Sequence, residues 1–595
     1  MSRNLKNILV TTPIESTWGK DEKIIFLGEW CKKFSRRHVL LNRHHSTLDY
    51  HWRDRVKLDK DHAYLFNLYE KVLRELSRSL NSFHSTNHSL RYWRIIVGPW
   101  LLNYLSVLFD RFSSISRLDD FDEEIFTYVS KQRESCRVPE DYNMSLKLFG
   151  DDNWNYTIFS EILQFKNNHN ISLIRKDYFN QDVSTLPSVQ KNFRVYVSNL
   201  ATTIFDKITA FINSIFFQKK SNYIIYHSYF SRRFLAKLSI LLGKLPRFHI
   251  EFDQKIIYSK KNRQDFHLKN FNTSDSFESF LALSIKNDIP IAYLESYKSI
   301  LQTQKRLSDA DVILTANAHF HCELFKSWAA EQTNQGAQLL ISAHGGALYP
   351  KFSVFNHQEM ISDTRIVWGK EWLPNQTRIA PNKLDFKVKK ISKDGDISII
   401  LNTTPRYSIR CCSIPMSSLA LDCYEQIKSF LRLLDRDILV NVKAKPKTVP
   451  KGHYDIGSRL ISDFDPSIIS PRKSIYDVIK HSRIVICTYP QTSFSEAIFS
   501  GVPTMLIYEE KFYEVQDIYH QLIDLLKLAN IIHTTPESAA KHLKEIYQNP
   551  LEWWNHDDTL IAREKFNSMC LTDSLDSLKD WHGLLLHHNK SAYNA

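Results

Sequence analysis

The chain has 595 residues, of which 43% are apolar and 24% charged, a balance typical of folded globular proteins with about two to four domains. This composition excludes wholesale disorder, a collagen-like chain and an integral membrane bundle. Glycine contributes only 14 residues, and neither a P-loop nor a G-x-G-x-x-G string occurs, which argues against P-loop NTPases, protein kinases and dinucleotide oxidoreductases. The net charge of +13 favours anionic ligands or surfaces without choosing among them.

The cysteine and histidine patterns indicate reduced thiols and no metal. The eight cysteines contain no C-x-x-C motif, so neither a zinc ribbon nor a disulfide framework is expected. His319 and His321 are close in sequence, but no carboxylate or thiol cluster accompanies them at zinc spacing. We therefore expect no metal and no resident cofactor.

The N-terminus shows no secretory leader, which predicts a cytoplasmic protein. The most apolar longer stretch, Ile95 to Phe109, contains Gly98 and Pro99 and is shorter than the roughly 20 residues that a spanning helix needs. We expect it to form a buried helix, and attachment to a membrane surface stays open.

The front of the chain, residues 1–370, is predicted to form one Rossmann-like unit with a helical insertion at about 55–220. A strand at 7–12 ends at Pro13, since proline cannot continue a central strand, and apolar residues recur at helical spacing over 61–111. Short apolar runs then alternate with helix-length segments, which is typical of βα units and a parallel sheet; the runs lie at 223–227, 311–316, 338–343 and 364–368.

A second Rossmann-like unit is predicted over 396–595, behind a polar connector at 371–395. Strand-length apolar runs and helix-length segments alternate again in this part of the chain. The predicted fold class is therefore α/β, with two doubly wound domains. Such domains bind ligands in the cleft at the carboxyl ends of their strands.

The most informative local stretch lies at 484–504, where a buried strand, a turn and a helix follow one another. Gln491, Thr492 and Ser493 are placed to begin the helix, whose amide groups and dipole attract an anion. Glu496, one turn further on, is a candidate to accept hydrogen bonds from ribose hydroxyls. The alternative interpretation is an ordinary capped helix with an acidic first turn.

Two other strand ends in the same unit carry candidate phosphate ligands. Lys443 and Lys445 share one face of a predicted strand, and either would neutralise a leaving phosphate. Thr403 and Arg406 follow the first strand of the unit. All four residues are also ordinary candidates for solvent-exposed strand ends.

In the front unit, His344, Gly345 and Gly346 directly follow a strand. Consecutive glycines permit an open ring of amide groups that suits a carboxylate or phosphate. His344 would act as an acid, a base or an oriented donor, unless it is a turn histidine without a role.

Glu15 and Glu295 both follow strand-like runs, so either is predicted to line the same cleft. A carboxylate there would remove the proton of an acceptor hydroxyl, or attack the sugar itself if stereochemistry is retained. Either is alternatively a salt-bridged loop residue.

Several strings together resemble a family of bacterial surface-glycan sugar transferases first named from a leptospiral locus. They occur in order over most of the chain: TTPIESTW (11–18), RYWRIIVGPWL (91–101), YLES (293–296), AHGG (343–346), VWG (367–369) and TYPQTSFSEA (488–497). The HGG and QTSFSEA elements are similar, more distantly, to those of GT-B enzymes that transfer Kdo or related ulosonic acids from CMP donors.

The resemblance implies a GT-B-like glycosyltransferase that binds its nucleotide-sugar donor mainly on the C-terminal unit. Its acceptor would be a surface polysaccharide, O-antigen, capsule or lipid-linked glycan at the cytoplasmic face of the inner membrane. No nucleic acid partner is expected. Two rivals stay open: a UDP- or GDP-hexose donor, and a non-catalytic scaffold that binds polyanions or glycans.

Overall fold

The structure, a computed structural model, describes part of the chain. Described are residues 7–592 except 122, 131–137, 177–207, 210–211, 213–221, 248–262, 306, 347, 354–355, 382–387, 389–390, 393, 573 and 575.

An N-terminal parallel sheet of five strands opens the described chain. Its strands are β1 (Asn7–Val10), β2 (Lys23–Phe26), β3 (His45–Thr47), β4 (Ile125–Val129) and β5 (Ile171–Arg175). Their order is β3-β2-β1-β4-β5, and each neighbouring pair is parallel. The chain thus reverses its direction of winding between β1 and β4.

A middle sheet follows, in which five parallel strands lie in simple sequence order. They are β6 (Tyr223–Ile225), β7 (Val312–Thr315), β8 (Gln338–Ser342), β9 (Thr364–Val367) and β10 (Gln376–Arg378). All four residues of β7 and of β9 are buried, as expected for strands covered on both faces.

The C-terminal sheet has the order β12-β11-β13-β14-β15 and is parallel throughout. Its strands are β11 (Asp396–Ile400), β12 (Val442–Lys445), β13 (Ser482–Cys487), β14 (Thr504–Ile507) and β15 (Ile532–His533). Because β12 and β13 lie on opposite sides of β11, the winding reverses between β11 and β13. Ligands of doubly wound sheets bind at such a switch point.

Helices connect and cover the three sheets. In chain order they are α1 (Arg55–His84), α2 (Leu90–Ser116), α3 (Tyr142–Phe149), α4 (Asp152–Lys166), α5 (Arg232–Leu241), α6 (Ser276–Asp288), α7 (Tyr297–Gln304), α8 (Ala318–His321), α9 (Glu323–Asn334), α10 (Asn356–Ile361), α11 (Leu419–Arg432), α12 (Arg436–Leu439), α13 (Ile456–Asp463), α14 (Ile475–Lys480), α15 (Thr492–Ser500), α16 (His520–Leu528), α17 (Pro536–Ile546), α18 (Pro550–Trp554), α19 (Asp557–Cys570) and α20 (Ser577–Ala592).

The two long helices α1 and α2 pack on each other in the front half. Asp54 caps α1 by accepting a hydrogen bond from the Lys57 amide, and Ser89 caps α2 in the same way through Tyr92. By length and composition α2 is able to cross a membrane, yet 89% of its most apolar window is buried inside the protein. The predicted buried helix at 95–109 is therefore confirmed.

Shared hydrophobic cores join the sheets. One core combines the N-terminal sheet, α1, α2 and part of the middle sheet. Ala343, Leu348 and Trp368 of the middle unit pack with side chains of the C-terminal unit in another core. Trp581 and Leu585 of α20 return to the middle sheet and pack on β7, β8 and β9.

The α/β fold class is confirmed by the parallel sheets and the helices that cover them. The middle and C-terminal units face each other across a shared core. The front half differs from the prediction, because β4 and β5 lie inside the predicted helical insertion and complete a separate third sheet. The predicted connector at 371–395 also contains a strand, β10, which extends the middle sheet.

Candidate active site

The turn after β8 touches the start of α15, and this contact joins the two facing units. A Cβ atom on Gly345 would lie 2.4 Å from the Thr492 hydroxyl oxygen. Ser495 donates a hydrogen bond of 2.5 Å to the Gly346 carbonyl oxygen, and the Leu348 amide donates to the Pro490 carbonyl oxygen at 3.3 Å. The structure thus brings together the HGG and QTS elements that the sequence singles out.

Local backbone chemistry explains both sides of this contact. Gly346 has φ +148°, a conformation that side chains other than glycine rarely adopt. Gln491 is the N-cap of α15, and its side chain makes no capping hydrogen bond. The helix ends at Gly501, which has φ +85°. The first amide groups of α15 therefore have no side-chain cap at the mouth of the contact.

The carboxyl edge of the middle sheet supplies one wall of the cleft. His344 follows β8 and stacks on Tyr229, which follows β6, with ring centroids 6.3 Å apart. The Tyr229 hydroxyl accepts a hydrogen bond of 2.8 Å from the side-chain amide of Asn317, a residue that follows β7. Three strand ends thus converge beside His344.

A pocket of about 120 Å³ lies at the switch point of the C-terminal sheet, between the residues that follow β11 and those that follow β13. Its lining comprises Leu401, Asn402, Thr403, Thr404, Pro405, Tyr407, Ser408, Ile409, Arg410, Ile414, Pro415, Met416, Ser417, Ala420, Cys423, Tyr424, Ile427, Ile456, Thr488, Tyr489, Gln491 and Tyr513. Gln491 belongs both to this lining and to the start of α15, so the pocket adjoins the HGG turn.

The lining combines an apolar wall with hydroxyl and amide groups. Ala420, Tyr424 and Ile427 share one face of α11 and form part of the wall. Asn402, Thr403 and Thr488 add polar groups; Thr403 donates to the Tyr454 carbonyl oxygen at 3.3 Å, and Thr488 donates to that of Ile400 at 3.0 Å. Such a mixture suits a ligand with a flat apolar part and several hydroxyls.

Two predicted residues of α15 have well-defined surroundings. Ser493 is buried, and its hydroxyl hydrogen-bonds the Tyr489 hydroxyl at 2.9 Å. Glu496 lies half-buried in the second turn. Burial raises the pKa of Tyr489 to about 12, and the Glu496 charge adds to that rise.

The predicted roles of Lys443 and Lys445 are not supported, because both amines donate hydrogen bonds to backbone carbonyl oxygens outside the pocket. Lys443 donates to the Ser467 carbonyl oxygen at 2.9 Å, and Lys445 donates to that of Arg472 at 2.7 Å. Neither lysine belongs to the pocket lining.

Arg406, predicted to bind the donor, instead ties the C-terminal unit to the N-terminal region. It is buried, and it donates to the Trp30 carbonyl oxygen at 2.6 Å and to the Asp152 carboxylate at 2.7 Å. Lys33 also contacts Asp152, at 2.8 Å. The Arg406 guanidinium therefore belongs to a structural ion pair with Asp152.

The two carboxylates predicted as catalytic are also committed to arginines. The Glu295 carboxylate accepts hydrogen bonds from two guanidinium nitrogens of Arg263, Nε at 2.8 Å and Nη2 at 2.9 Å, and its side chain is 1% exposed. Glu15 is bound by Arg36 at 2.6 and 2.7 Å, and this contact lowers the pKa of Glu15. Neither contacts the HGG turn or the start of α15 within the described residues, so the structure does not support a catalytic role for either.

Sequence reasoning missed several residues around the switch point. Asn402 and Arg410 line the pocket, and the Lys447 amine lies 5.6 Å from the centre of the Tyr489 ring. The polar run Asn402 to Arg406 follows a predicted strand and so pointed to this edge of the sheet. Arg410 lies beyond that run, and no sequence pattern favours it over Arg406.

Histidines gather near the middle-sheet edge without a metal-ligand set. Among the described residues, no group of three or more histidine, cysteine or acidic side chains is arranged to hold a metal ion. His319 lies in the short helix α8, which follows β7. It is buried, and burial lowers its pKa far below the usual range.

A family comparison identifies the chain as a transferase. Residues 7–585 match the family described as LIC12162 family transferase, and the chain belongs to that family. No curated protein matches the chain.

Solved structures with loose similarity include MurG and two glycosyltransferases. MurG of Acinetobacter baumannii is 11% identical, with a TM-score of 0.32 over 62% of this chain and 99% of its own. CalG4, the calicheamicin glycosyltransferase, is 9% identical, with a TM-score of 0.31 over 62% and 98%. WaaG, a glycosyltransferase involved in lipopolysaccharide biosynthesis, is 10% identical, with a TM-score of 0.28 over 61% and 98%.

Proposed function

We propose that this protein is a glycosyltransferase that moves a sugar from a nucleotide-activated donor to a glycan acceptor. One observation carries the proposal: the switch-point pocket opens beside the contact between the HGG turn and α15. A nucleotide in the pocket would place its phosphate near the uncapped amides of Thr492 and Ser493. The sugar would then face His344 across the junction.

The chain's own groups account for the requirements of such a transfer. The leaving phosphate gains negative charge as its bond to the sugar breaks and the acceptor oxygen bonds to the sugar, and oriented amides stabilise that charge without reorganising. Asn402 and Thr403 offer hydrogen bonds to ribose hydroxyls, while the α11 face covers the base. His344 remains the residue at the junction able to move a proton at the acceptor hydroxyl.

We further propose that the donor is a CMP-linked ulosonic acid of the Kdo or nonulosonic type. The family resemblance of the HGG and QTSFSEA elements supports this choice. The leaving group would be a monophosphate, whose charge a helix end and one or two cations can balance. A UDP- or GDP-hexose remains the rival donor, and it would need an additional binding site for the second phosphate.

The proposed acceptor is a surface polysaccharide or a lipid-linked glycan, met at the cytoplasmic face of the inner membrane. The net charge of +13 favours a peripheral position on an anionic membrane face. The same charge suits the second rival, a scaffold for polyanions, which would bind with steep salt dependence and release no nucleotide.

Thermal unfolding with CMP, UDP and GDP tests the donor. A ligand that binds only the folded chain raises the unfolding temperature by mass action, so we expect CMP to raise it most. A larger rise of the unfolding temperature with UDP or GDP would mean that the donor carries that nucleotide instead of CMP. If none of the three raises it and the protein binds polyanions in a salt-sensitive way, the scaffold is favoured.

Turnover is tested by donor hydrolysis with His344→Asn beside wild type. Asparagine keeps a polar side chain but cannot move a proton near neutral pH, so we expect hydrolysis to fall at least a hundredfold with CMP binding retained. The exposed His44 provides the matched control, His44→Asn, which is expected to keep full activity. Full activity in His344→Asn would remove its proposed role.

A further inference from the structure

Arg410 occupies an unusual position in the switch-point pocket. Among the described residues that line the pocket it is the only charged one, and it is half-buried. Its guanidinium forms no ion pair or hydrogen bond with the residues that the structure describes. By contrast, the nearby cations Arg406, Lys443 and Lys445 each have protein acceptors.

A half-buried cation without a counter-charge is costly, because it loses part of its hydration and gains no partner in return. The described lining contains no carboxylate that would compensate it. The natural compensation is an anionic group on the ligand. Guanidinium also matches the geometry of phosphate and carboxylate oxygens, with two parallel N–H donors.

The backbone that carries Arg410 is fixed from the front half of the chain. Arg111, fully buried on α2, donates to the Ser408 carbonyl oxygen at 2.6 Å. Asn103, on the same helix, donates to that of Ile409 at 3.0 Å. The Ser408 hydroxyl donates to the Arg410 carbonyl oxygen at 2.8 Å. These contacts hold in place the three residues that end in Arg410, so the site is preorganised.

The surroundings of Arg410 place its charge at the meeting point of the two halves. Burial raises the pKa of Tyr142, on α3, and the Arg410 charge opposes that rise. Burial lowers the pKa of His453, in the loop after β12, and Arg410 contributes to the lowering. The Arg410 charge therefore lies near groups of both the front region and the C-terminal unit.

We infer that Arg410 binds the phosphate of a nucleoside phosphate whose base packs on the α11 face of the pocket. This inference rests on the proposed function and deepens it, because it names the residue that recognises the donor's anionic part. It replaces Lys443, Lys445 and Arg406 in that role. The apolar wall of Ala420, Tyr424 and Ile427 would then contribute binding that is independent of the phosphate.

Calorimetric titration with CMP and with cytidine separates the two contributions. For Arg410→Met we expect CMP to bind at least tenfold more weakly than to wild type, while cytidine binds equally to both. Arg410→Lys should recover part of the lost affinity, since it restores the charge without the planar donors. Arg432→Met, on the exposed end of α11 and outside the lining, is the matched control and should bind CMP like wild type.

The outcomes distinguish the two proposals. If the nucleotide that stabilises wild type, whether CMP, UDP or GDP, binds Arg410→Met with unchanged affinity, the role of Arg410 is overturned and the proposed transferase stands. If no nucleotide binds wild type, both are overturned. Urea unfolding of Arg410→Met is expected to show a stability equal to or above that of wild type, because the variant removes a half-buried cation without a counter-charge. A large loss of stability would mean that Arg410 has a structural role instead.

Discussion

Gly345 and Thr492 touch across the two facing units, and a methyl group on Gly345 would lie 2.4 Å from the Thr492 hydroxyl oxygen. No ordinary Cβ contact is that short, so the turn and the helix approach each other this closely only because residue 345 has no side chain. The scarcity of glycine in this chain makes the pair Gly345 and Gly346 more informative. A steric requirement of the site accounts for the first glycine, and the backbone angle accounts for the second.

Gly345→Ala is expected to lower donor hydrolysis at least tenfold, because the added methyl group pushes the turn away from the start of α15. Overall stability should fall by only about 1–3 kcal/mol, the usual cost of overpacking. Steady-state hydrolysis and urea unfolding measure the two effects.

The double variant Gly345→Ala/Thr492→Ala tests the cause, since it removes the hydroxyl that the new methyl group meets. It should recover part of the activity relative to Gly345→Ala. Gly583→Ala is the matched control, because a Cβ there meets no atom within 4 Å. Equal loss in the single and double variants would show that the contact is not the reason.

The parts of the site that were predicted from the sequence are those fixed by local chemistry. A buried strand followed by glycines, or by hydroxyl residues and a helix, has a defined geometry over about ten residues. His344 to Gly346 therefore follow a strand, and Gln491 to Ser493 begin a helix, as predicted, while their roles in binding stay predictions. The parallel βα alternation of the middle and C-terminal sheets was predictable for the same reason.

The roles of charged residues were not predictable, because their partners are distant in sequence. Asp152, which binds Arg406, lies 254 positions away. The N-terminal sheet escaped prediction because its edge strand β3 has only three residues, none of them buried, and because β4 and β5 are separated from β1 by long helices. The sequence pattern alone therefore predicts neither the ion pair of Arg406 with Asp152 nor the strand pairing of the N-terminal sheet.

Arg406→Met is expected to lower the free energy of unfolding by about 3 kcal/mol, because it leaves the half-buried Asp152 carboxylate with one partner fewer. Urea unfolding measures this loss. Arg410→Met provides the contrast, since it should weaken nucleotide binding without lowering the free energy of unfolding. An Arg406→Met protein of normal stability but weak nucleotide binding would restore the donor-binding role predicted from the sequence.

Glu295→Gln and Glu15→Gln are expected to differ in stability. The buried pair with Arg263 makes Glu295→Gln costly, by about 3 kcal/mol or more, whereas the exposed pair of Glu15 with Arg36 contributes at most about 1 kcal/mol. Folded Glu15→Gln should keep full donor hydrolysis. A hundredfold loss of turnover in Glu15→Gln at unchanged stability would reinstate that carboxylate as a catalytic group.

Acid is expected to destabilise the fold through buried neutral histidines. Burial lowers the pKa of His84 to about 4 and that of His533 to about 4, against about 6.5 in an unfolded chain. Between these values the unfolded chain binds protons that the folded chain does not, so stability falls as pH drops from about 6.5 towards 4. Each histidine contributes up to about 3 kcal/mol over that window.

Urea unfolding of wild type and His84→Gln at pH 7 and pH 5 measures this effect for one site. Between pH 7 and pH 5 the free energy of unfolding should fall by about 2 kcal/mol less in the variant than in wild type, because one of the titrating groups has been removed. His44→Gln, at an exposed position, should show the wild-type slope. Identical slopes in all three proteins would mean that His84 takes up its proton equally well in the folded and unfolded chain, contrary to its burial against the Tyr293 carbonyl oxygen at 2.9 Å.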